Sequence, residues 1–450
     1  MSPTVPSHFP GLTIPREIRV VSDINTVASA KKKMAADGES ARRAGRAVVP
    51  GKTLTTIPEF SSPAWSGRVV PQETLQLIGE ALTPVLSSSA FDLSRQWARY
   101  RYFWAFADVE NGDRRLRLSN EAYGLADHHR TLSAEQLGIG IALQLGDWLL
   151  RQRHRSQRVD VRWVDADVAL DRGSLDPQGT FIVASAPGAP KRMRPDYFFT
   201  VTDRSTGQVT VYALEVKGTH TPRHWMTQMA KGARQVAAVR INNSPPTGLV
   251  FSTELSDQQV IVRALDPAGD KAWSGHAERG DGRVAHEDVE LGLTIVDQPA
   301  AFRHSVLRAA DASLLAFAGQ HRTAAATILP PSDPRRDIPQ AGDVPLERAE
   351  TPVGDVLFTR MSLPLGDHEL RIRTGAAADV LMAARQDDPD VRAQHGEALE
   401  ARLNRARTAV NDDGLPGWIE GDADGQVVEG IRPTGTYMRA EIAERGQPDA

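Results

Sequence analysis

Arg194 to Gly218 reads RPDYFFTVTDRSTGQVTVYALEVKG, and this stretch decides the fold. Its two arms are rich in β-branched and aromatic residues, which is strand composition, and Asp203-Arg204-Ser205-Thr206-Gly207 between them supplies turn chemistry. A turn centred between Ser205 and Thr206 makes a β-hairpin in which facing residue numbers sum to 411, so Asp196 faces Glu215. Cβ atoms in such pairs lie about 5 Å apart, and two carboxylates at that distance repel unless a positive charge sits between them. A divalent metal ion suits that position. Side chains alternate along a strand, so Lys217 shares the face of Glu215 while Leu214 and Val216 point into apolar packing. Two carboxylates and one ammonium therefore converge.

This grouping suits metal-assisted phosphodiester hydrolysis. Oxygen donors favour Mg²⁺ or Mn²⁺, the ion polarises a phosphate and acidifies a bound water, and a nearby ammonium stabilises charge that develops in the transition state. Pro-Asp alone carries little information, since it recurs at Pro389-Asp390 and Pro448-Asp449. Glu215-Val216-Lys217 carries more, because no other lysine of the chain has an acidic residue two positions before it. Only eight of the 53 basic residues are lysines, so a lysine at 217 in an arginine-biased chain points to a need for a compact, movable ammonium.

Pro195-Asp196 with Glu215-Val216-Lys217 resembles the signature of the PD-(D/E)xK nuclease superfamily, the restriction-endonuclease-like fold. The resemblance covers residues 130 to 265. It implies a Mg²⁺- or Mn²⁺-dependent endonuclease in which Asp196, Glu215 and the main-chain carbonyl of Val216 hold the metal and Lys217 orients or activates the attacking water. It further suggests Glu135, on the helix before the sheet, as a metal contact. A favourable acidic residue in a first helical turn is the other reading of Glu135, and both stay open. Gln235, on the helix after the hairpin, is a candidate for orienting water or phosphate, whereas Lys231 reads as a solvated helix face.

The surrounding pattern agrees with an α/β core of order α-β-β-β-α-β, a mixed central sheet flanked by helices, over residues 131–265. Ser133-Ala134-Glu135-Gln136 reads as a capping box ahead of a helix to Arg153, with Leu137, Ile141, Leu145 and Trp148 as its apolar stripe. Strands are expected in VDVRWVDADVAL (159–170), the hairpin, TGLVFSTEL (247–255) and VIVRAL (260–265). Between the hairpin and TGLVFSTEL, Thr221-Pro222 reads as a helix start, with Trp225, Met229, Ala233 and Val236 buried. His128-His129 reads as a loop pair.

Outside that core, residues 1–70 hold Lys31-Lys32-Lys33 and Arg42-Arg43 among scattered Pro, Ser and Gly. They read as a mostly disordered arm with at most one transient basic helix, either solvated or touching nucleic acid. A helical extension follows over 71–130, in which Arg95, Arg99 and Arg101 lie among Trp97, Tyr100, Tyr102, Phe103 and Trp104. Such aromatic density reads as core, with base stacking as the alternative. A helical run near 300–319 and a Pro-rich connector at 329–352 lead into a C-terminal α+β region, 353–450, of unassigned role. Its strands are expected in VLFTRMSL and HELRIRT, its helices at 376–385 and 390–411, and a hairpin through VVEGIRPTGTYMRAEI.

The 450 residues, 40% hydrophobic and 24% charged, are ordinary globular composition. No cysteine is present, which removes disulfide frameworks and Cys-ligated zinc. No apolar run approaches a membrane span, and no phosphate-binding GxxxxGK[ST], His-rich zinc pattern or repeat occurs. A cytoplasmic protein without a membrane partner is expected. The net charge of −4 leaves nucleic-acid binding to a local patch. The expected partner is nucleic acid, DNA first, in restriction, phage defence or repair, with the C-terminal region available for a homodimer or a partner protein. A nuclease-fold binding module without turnover, or a structural or regulatory interaction protein, is the alternative.

Overall fold

A computed structural model describes residues 7–45, 54–63, 65–83, 102–155, 158–166, 183–185, 193–241, 246–267, 293–295, 299–329, 342–386, 388–409 and 417–446. The hairpin forms as its sequence indicates. Strands β2 (Val159–Asp165), β3 (Tyr197–Asp203) and β4 (Val209–Thr219) form an antiparallel meander, with Tyr197 opposite Leu214 and Thr202 opposite Val209. The turn is set by Asp203, whose carboxylate accepts from Ser205 N (2.8 Å), Ser205 Oγ (2.6 Å) and Thr206 Oγ1 (2.9 Å), while Gly207 takes φ 72°. These bonds, led by the Ser205 hydroxyl, hold the Asp203 carboxyl below its usual range.

With β1 (Arg19–Val21), β5 (Thr247–Glu254) and β6 (Ile261–Pro267), the meander builds a mixed sheet of order β1-β6-β5-β4-β3-β2. Strand β5 runs parallel to β4, and β6 antiparallel to β5. A parallel neighbour requires a crossover, and the helix after the hairpin provides it.

The helices are α1 (Ile24–Arg43), α2 (Pro71–Ala81), α3 (Asp127–Arg153), α4 (Trp225–Val236), α5 (Pro299–Phe317), α6 (His321–Ile328), α7 (Ala378–Gln386) and α8 (Pro389–Ala409). One face of the sheet, with Phe199, Leu214, Val216 and Phe251, packs on Leu137, Ile141 and Leu145 of α3. The other, with Phe198, Val211, Ala213 and Val250, packs on Met229, Ala233 and Val236 of α4 and Ala30 of α1. Counted over the strands of this sheet, the order α3-β2-β3-β4-α4-β5 is α-β-β-β-α-β; two short strands within the same segment, Val183–Ser185 and Val239–Ile241, pair with each other outside it.

Several expectations are corrected. Residues 16–43 are not a disordered arm: β1 pairs with β6, and α1, capped by Asp23 accepting from Thr26 N (2.7 Å), packs on α4 through Val27, Ala30 and Met34. Apolar residues spaced three and four apart supply that buried stripe despite the polar remainder. Helix α3 starts at Asp127, so Ser133 lies inside it and caps nothing, Glu135 is beyond the first turn, and His128-His129 belong to the helix. Helix α4 starts at Trp225 because Arg223 adopts φ 70°, which no helical residue can hold, and Thr221 and Pro222 stay in the preceding turn. In the connector, Glu347–Thr351 forms a strand.

The aromatic cluster is core where it is described: Tyr102 and Phe103 are 2% and 1% exposed, while its members up to Arg101 lie outside the described residues. No helix among the described residues is long and apolar enough to cross a membrane.

The C-terminal region forms an antiparallel sheet of β7 (Glu347–Thr351), β8 (Gly354–Leu365), β9 (His368–Ala377), β10 (Trp418–Gly421), β11 (Val427–Ile431) and β12 (Thr436–Glu444), ordered β7-β8-β9-β12-β11-β10. Its Leu370, Ile372, Met438, Ala440 and Ile442 join the same core as α3.

Helix α2 lies in that core. Pro71 to Glu80 are all buried, including Gln72, Glu73, Gln76 and Glu80. Apart from Gln72, whose amide has no hydrogen bond among the described residues, its polar side meets partners distant in sequence: Arg432 ion-pairs with Glu73 (3.3 Å) and Glu80 (3.4 Å), Gln144 donates to Glu73 (2.7 Å), and Gln76 donates to Thr436 (3.0 Å). Arg432→Ala would leave two buried carboxylates without their cation. We expect it to cost about 3–5 kcal/mol in urea denaturation, the scale of a broken buried ion pair.

Candidate active site

Glu215 lies inside β4, between β3 and β5 and beneath α4. Helix α4 comes this close because Gly232 faces the strand; a Cβ there would sit 3.1 Å from Glu215 Cγ and 2.6 Å from Val250 Cγ1. The Glu215 side chain is 0% exposed. Lys217 is in close charge-assisted contact with its Oε1, while its Oε2 has no hydrogen bond among the described residues.

Asp196 lies one residue before β3. Its N–H donates to Leu214 O (3.0 Å) and its C=O accepts from Ala166 N (3.0 Å). Its Oδ2 accepts from Val216 N (2.8 Å) and lies 3.7 Å from Lys217 Nζ. In a strand, the N–H and C=O of one residue point to the same neighbour, so the Val216 carbonyl also faces the Asp196 side. Thus Asp196, Glu215 and Lys217 come together on the α4 face of the sheet, with Leu214 and Val216 packed on the opposite face.

The electrostatics follow from burial. It raises the Glu215 carboxyl well above its ordinary range, and the Asp196 charge adds to the rise. Burial also raises Asp196, against the pull of Lys217, but Asp196 keeps 35% of its side chain exposed and feels that push less. For Lys217, burial alone would lower the pKa, and Glu215 and Asp196 reverse this into a rise. An ammonium between two carboxylates stays charged at neutral pH.

The helices add polar groups. Gln235 donates through Nε2 to Arg194 O (3.1 Å), which anchors the run into Asp196, and its buried Oε1 has no hydrogen bond among the described residues. Gln228 was not singled out in the sequence. It donates to Gly218 O (2.9 Å) and accepts from Ser252 Oγ (2.6 Å), and Ser252 is the register partner of Lys217. The signal was present, since Gln228, Gly232 and Gln235 are spaced i, i+4, i+7 and share one helix face. Lys231 is exposed, and its charge lowers the Glu215 carboxyl.

Glu135 is exposed on α3, and its charge helps raise Lys217. It does not complete a third acidic donor: among the described residues no three His, Asp or Glu side chains are grouped to hold a metal. Asp196 and Glu215 are two oxygen donors, with the Val216 carbonyl beside them. That set fits an ion such as Mg²⁺, which keeps several waters, and the buried Glu215 Oε2, which has no hydrogen bond among the described residues, fits it as well.

Protein-family models, curated proteins and solved structures return no match to this chain. The site is therefore read from its own geometry.

Helix α3 crosses β4 immediately after Lys217. A Cβ on Gly218 would lie 1.8 Å from Ala134 O, and one on Gly138 would lie 3.3 Å from Gly218 Cα. Backbone atoms cannot yield as a flexible side chain can. We expect Gly218→Ala to destabilise the fold by about 3 kcal/mol or more, the upper range for overpacking, measured by thermal and urea melts.

The other end of the hairpin is distinct. A cavity of about 400 Å³ lined by Arg151, Arg158, Arg204, Glu397 and Glu400 lies at the turn, where Arg204 pairs with Glu400 of α8 at 2.6 Å. The seven residues of β3 separate Arg204 of this cavity from Asp196, about 26 Å at strand rise.

Proposed function

We propose that this protein is a metal-dependent nuclease that hydrolyses phosphodiester bonds, DNA first, on a restriction-endonuclease-like core. One observation carries the reading: Asp196, Glu215 and Lys217 meet on one sheet face, with Lys217 Nζ against both carboxylates and Glu215 fully buried. A fully buried carboxylate beside a second, partly exposed one is costly, and catalytic function is a common reason to retain such a pair. The order α3-β2-β3-β4-α4-β5 supports the same reading.

Asp196 and Glu215, with the Val216 carbonyl, would hold Mg²⁺ or Mn²⁺. A bound ion supplies Lewis-acid polarisation of the phosphate and a more acidic water. Lys217 orients the attacking water and stabilises charge on the phosphoryl oxygens. Gln235 and Gln228 fix the backbone on either side, at Arg194 and Gly218. In the reaction a water oxygen forms the new bond to phosphorus, the P–O ester bond breaks, and the proton lost by water ends on the leaving oxygen.

The test is incubation of the purified chain with supercoiled plasmid and with circular single-stranded DNA in Mg²⁺, Mn²⁺ or EDTA. Nicked or linear products are expected with metal and not with EDTA. Intact DNA under every metal condition would overturn the proposal.

A further inference from the structure

Beyond Lys217, the end of β4 meets the N-terminal part of α3 in an unusual surface. Leu125 and Leu132 are 41% and 40% exposed, two of the five large hydrophobic side chains exposed among the described residues. Between them the exposed rings of His128 and His129 lie 4.0 Å apart. Positions 128, 129 and 132 fall on one side of α3, and Leu125 lies in the bend just before its N-cap, Ala126. The ring of Tyr123 lies 6.4 Å from that of His220, and the Arg130 guanidinium sits 5.0 Å over Tyr123.

This surface adjoins the candidate site. Helix α3 touches Gly218, the residue after Lys217, at Ala134, and His128 is about 9 Å of helix from there. His220 is about 10 Å of strand beyond Lys217. At its rim, exposed Arg223 forms no ion pair among the described residues and holds φ 70°, where glycine is favoured.

We propose that this surface receives an unpaired nucleic-acid strand and leads it to Asp196, Glu215 and Lys217; the choice of nucleic acid rests on the nuclease reading above. Two features select an unpaired strand over a duplex. A duplex presents mainly phosphates, which call for dense positive charge, and here Glu121 and Asp127 offset Arg130 and Arg223. Stacked imidazoles, a tyrosine and exposed leucines instead offer flat and apolar faces to bases, which only an unpaired strand exposes. Arg223 supplies a phosphate contact at the rim.

The test uses the full chain and a fluorescein-labelled 15-nucleotide oligo-dT, with a blunt duplex of equal length, followed by anisotropy in EDTA so that no cleavage occurs. The wild type should bind the single strand about tenfold more tightly than the duplex. His128→Ala/His129→Ala should weaken single-strand binding about tenfold, within the range for lost base stacking, without shifting the melting temperature. Arg223→Gly should lower the salt slope of single-strand binding by about 0.7, one phosphate contact, at a position where glycine relieves strain. Equal affinity for both DNAs, or an unchanged affinity in the histidine variant, overturns the inference. Cleavage is read separately with Mn²⁺. A wild type that cuts both DNAs equally, with the histidine variant unimpaired, overturns the strand-guiding surface and leaves the nuclease standing. A wild type that binds the single strand and cuts nothing supports this surface and overturns the nuclease reading.

Discussion

Lys217→Ala is expected to lower cleavage at least a hundredfold, about the loss from removing one group that stabilises charge in a transition state. Metal binding should persist, because an ammonium cannot be a ligand. Its Nζ lies 3.7 Å from Asp196 Oδ2 and contacts Glu215, so it can follow charge that moves between water, phosphate and carboxylates. Lys217→Arg should not restore activity, since a planar guanidinium spreads its charge and cannot reach the same point in that space. Single-turnover cleavage with Mn²⁺, together with Mn²⁺ titration of each variant, checks both statements. Wild-type cleavage by the alanine variant would remove Lys217 from the mechanism.

The second large effect links metal to stability. Asp196 and Glu215 both have carboxyls raised above their ordinary values of 3.8 and 4.5, chiefly by burial, with mutual repulsion adding at Glu215. The folded state therefore holds these protons more tightly than the unfolded chain. Their contribution to stability is present below about pH 4, and it is lost as pH rises through the ordinary carboxylate range toward the raised folded values. At neutral pH the metal-free protein carries the cost of that burial, with the repulsion added at Glu215. Free Mn²⁺ at roughly ten to a hundred times its Kd should restore about 1–3 kcal/mol. Asp196→Asn removes one charge and one ligand together. In EDTA it should melt at or above the wild type, with a flatter dependence from pH 4 to 7, and it should respond little to Mn²⁺. An equal metal response in both proteins would show that Asp196 lies outside the metal site.

The hairpin was legible because its information is local. Alternation placed Glu215 and Lys217 on one face, and the turn chemistry of Asp203 to Gly207 set the register that brings Asp196 to them. The strands and helices of the C-terminal region were likewise readable from period and breakers. What could not be read depends on contacts distant in sequence. Helix α2 looks amphipathic through Leu75 and Ile78, yet its polar side is buried because Arg432, Gln144 and Thr436 come to meet it. The basic residues of α1 suggested disorder, because burial of Ala30 and Met34 requires the presence of α4. Ser133 has capping chemistry but lies inside a helix, since Asp127 to Leu132 extend α3 by almost two turns. The left-handed Arg223, which delays α4, carries no composition signal, as the position would suit glycine better.

The shared core also bears on how the chain is made. Phe9 N bonds to Gly425 O (2.7 Å), β1 pairs with β6, and Phe9 lies in one apolar cluster with Ile442. During synthesis Phe9 must wait for Gly425 and Ile442 before that cluster can close. Contacts of such wide sequence separation are slow to form, and helix α2 stays without Arg432 and Thr436 until then. The packing around Phe9 and α2 can therefore be completed only once residues 425 to 442 have been made.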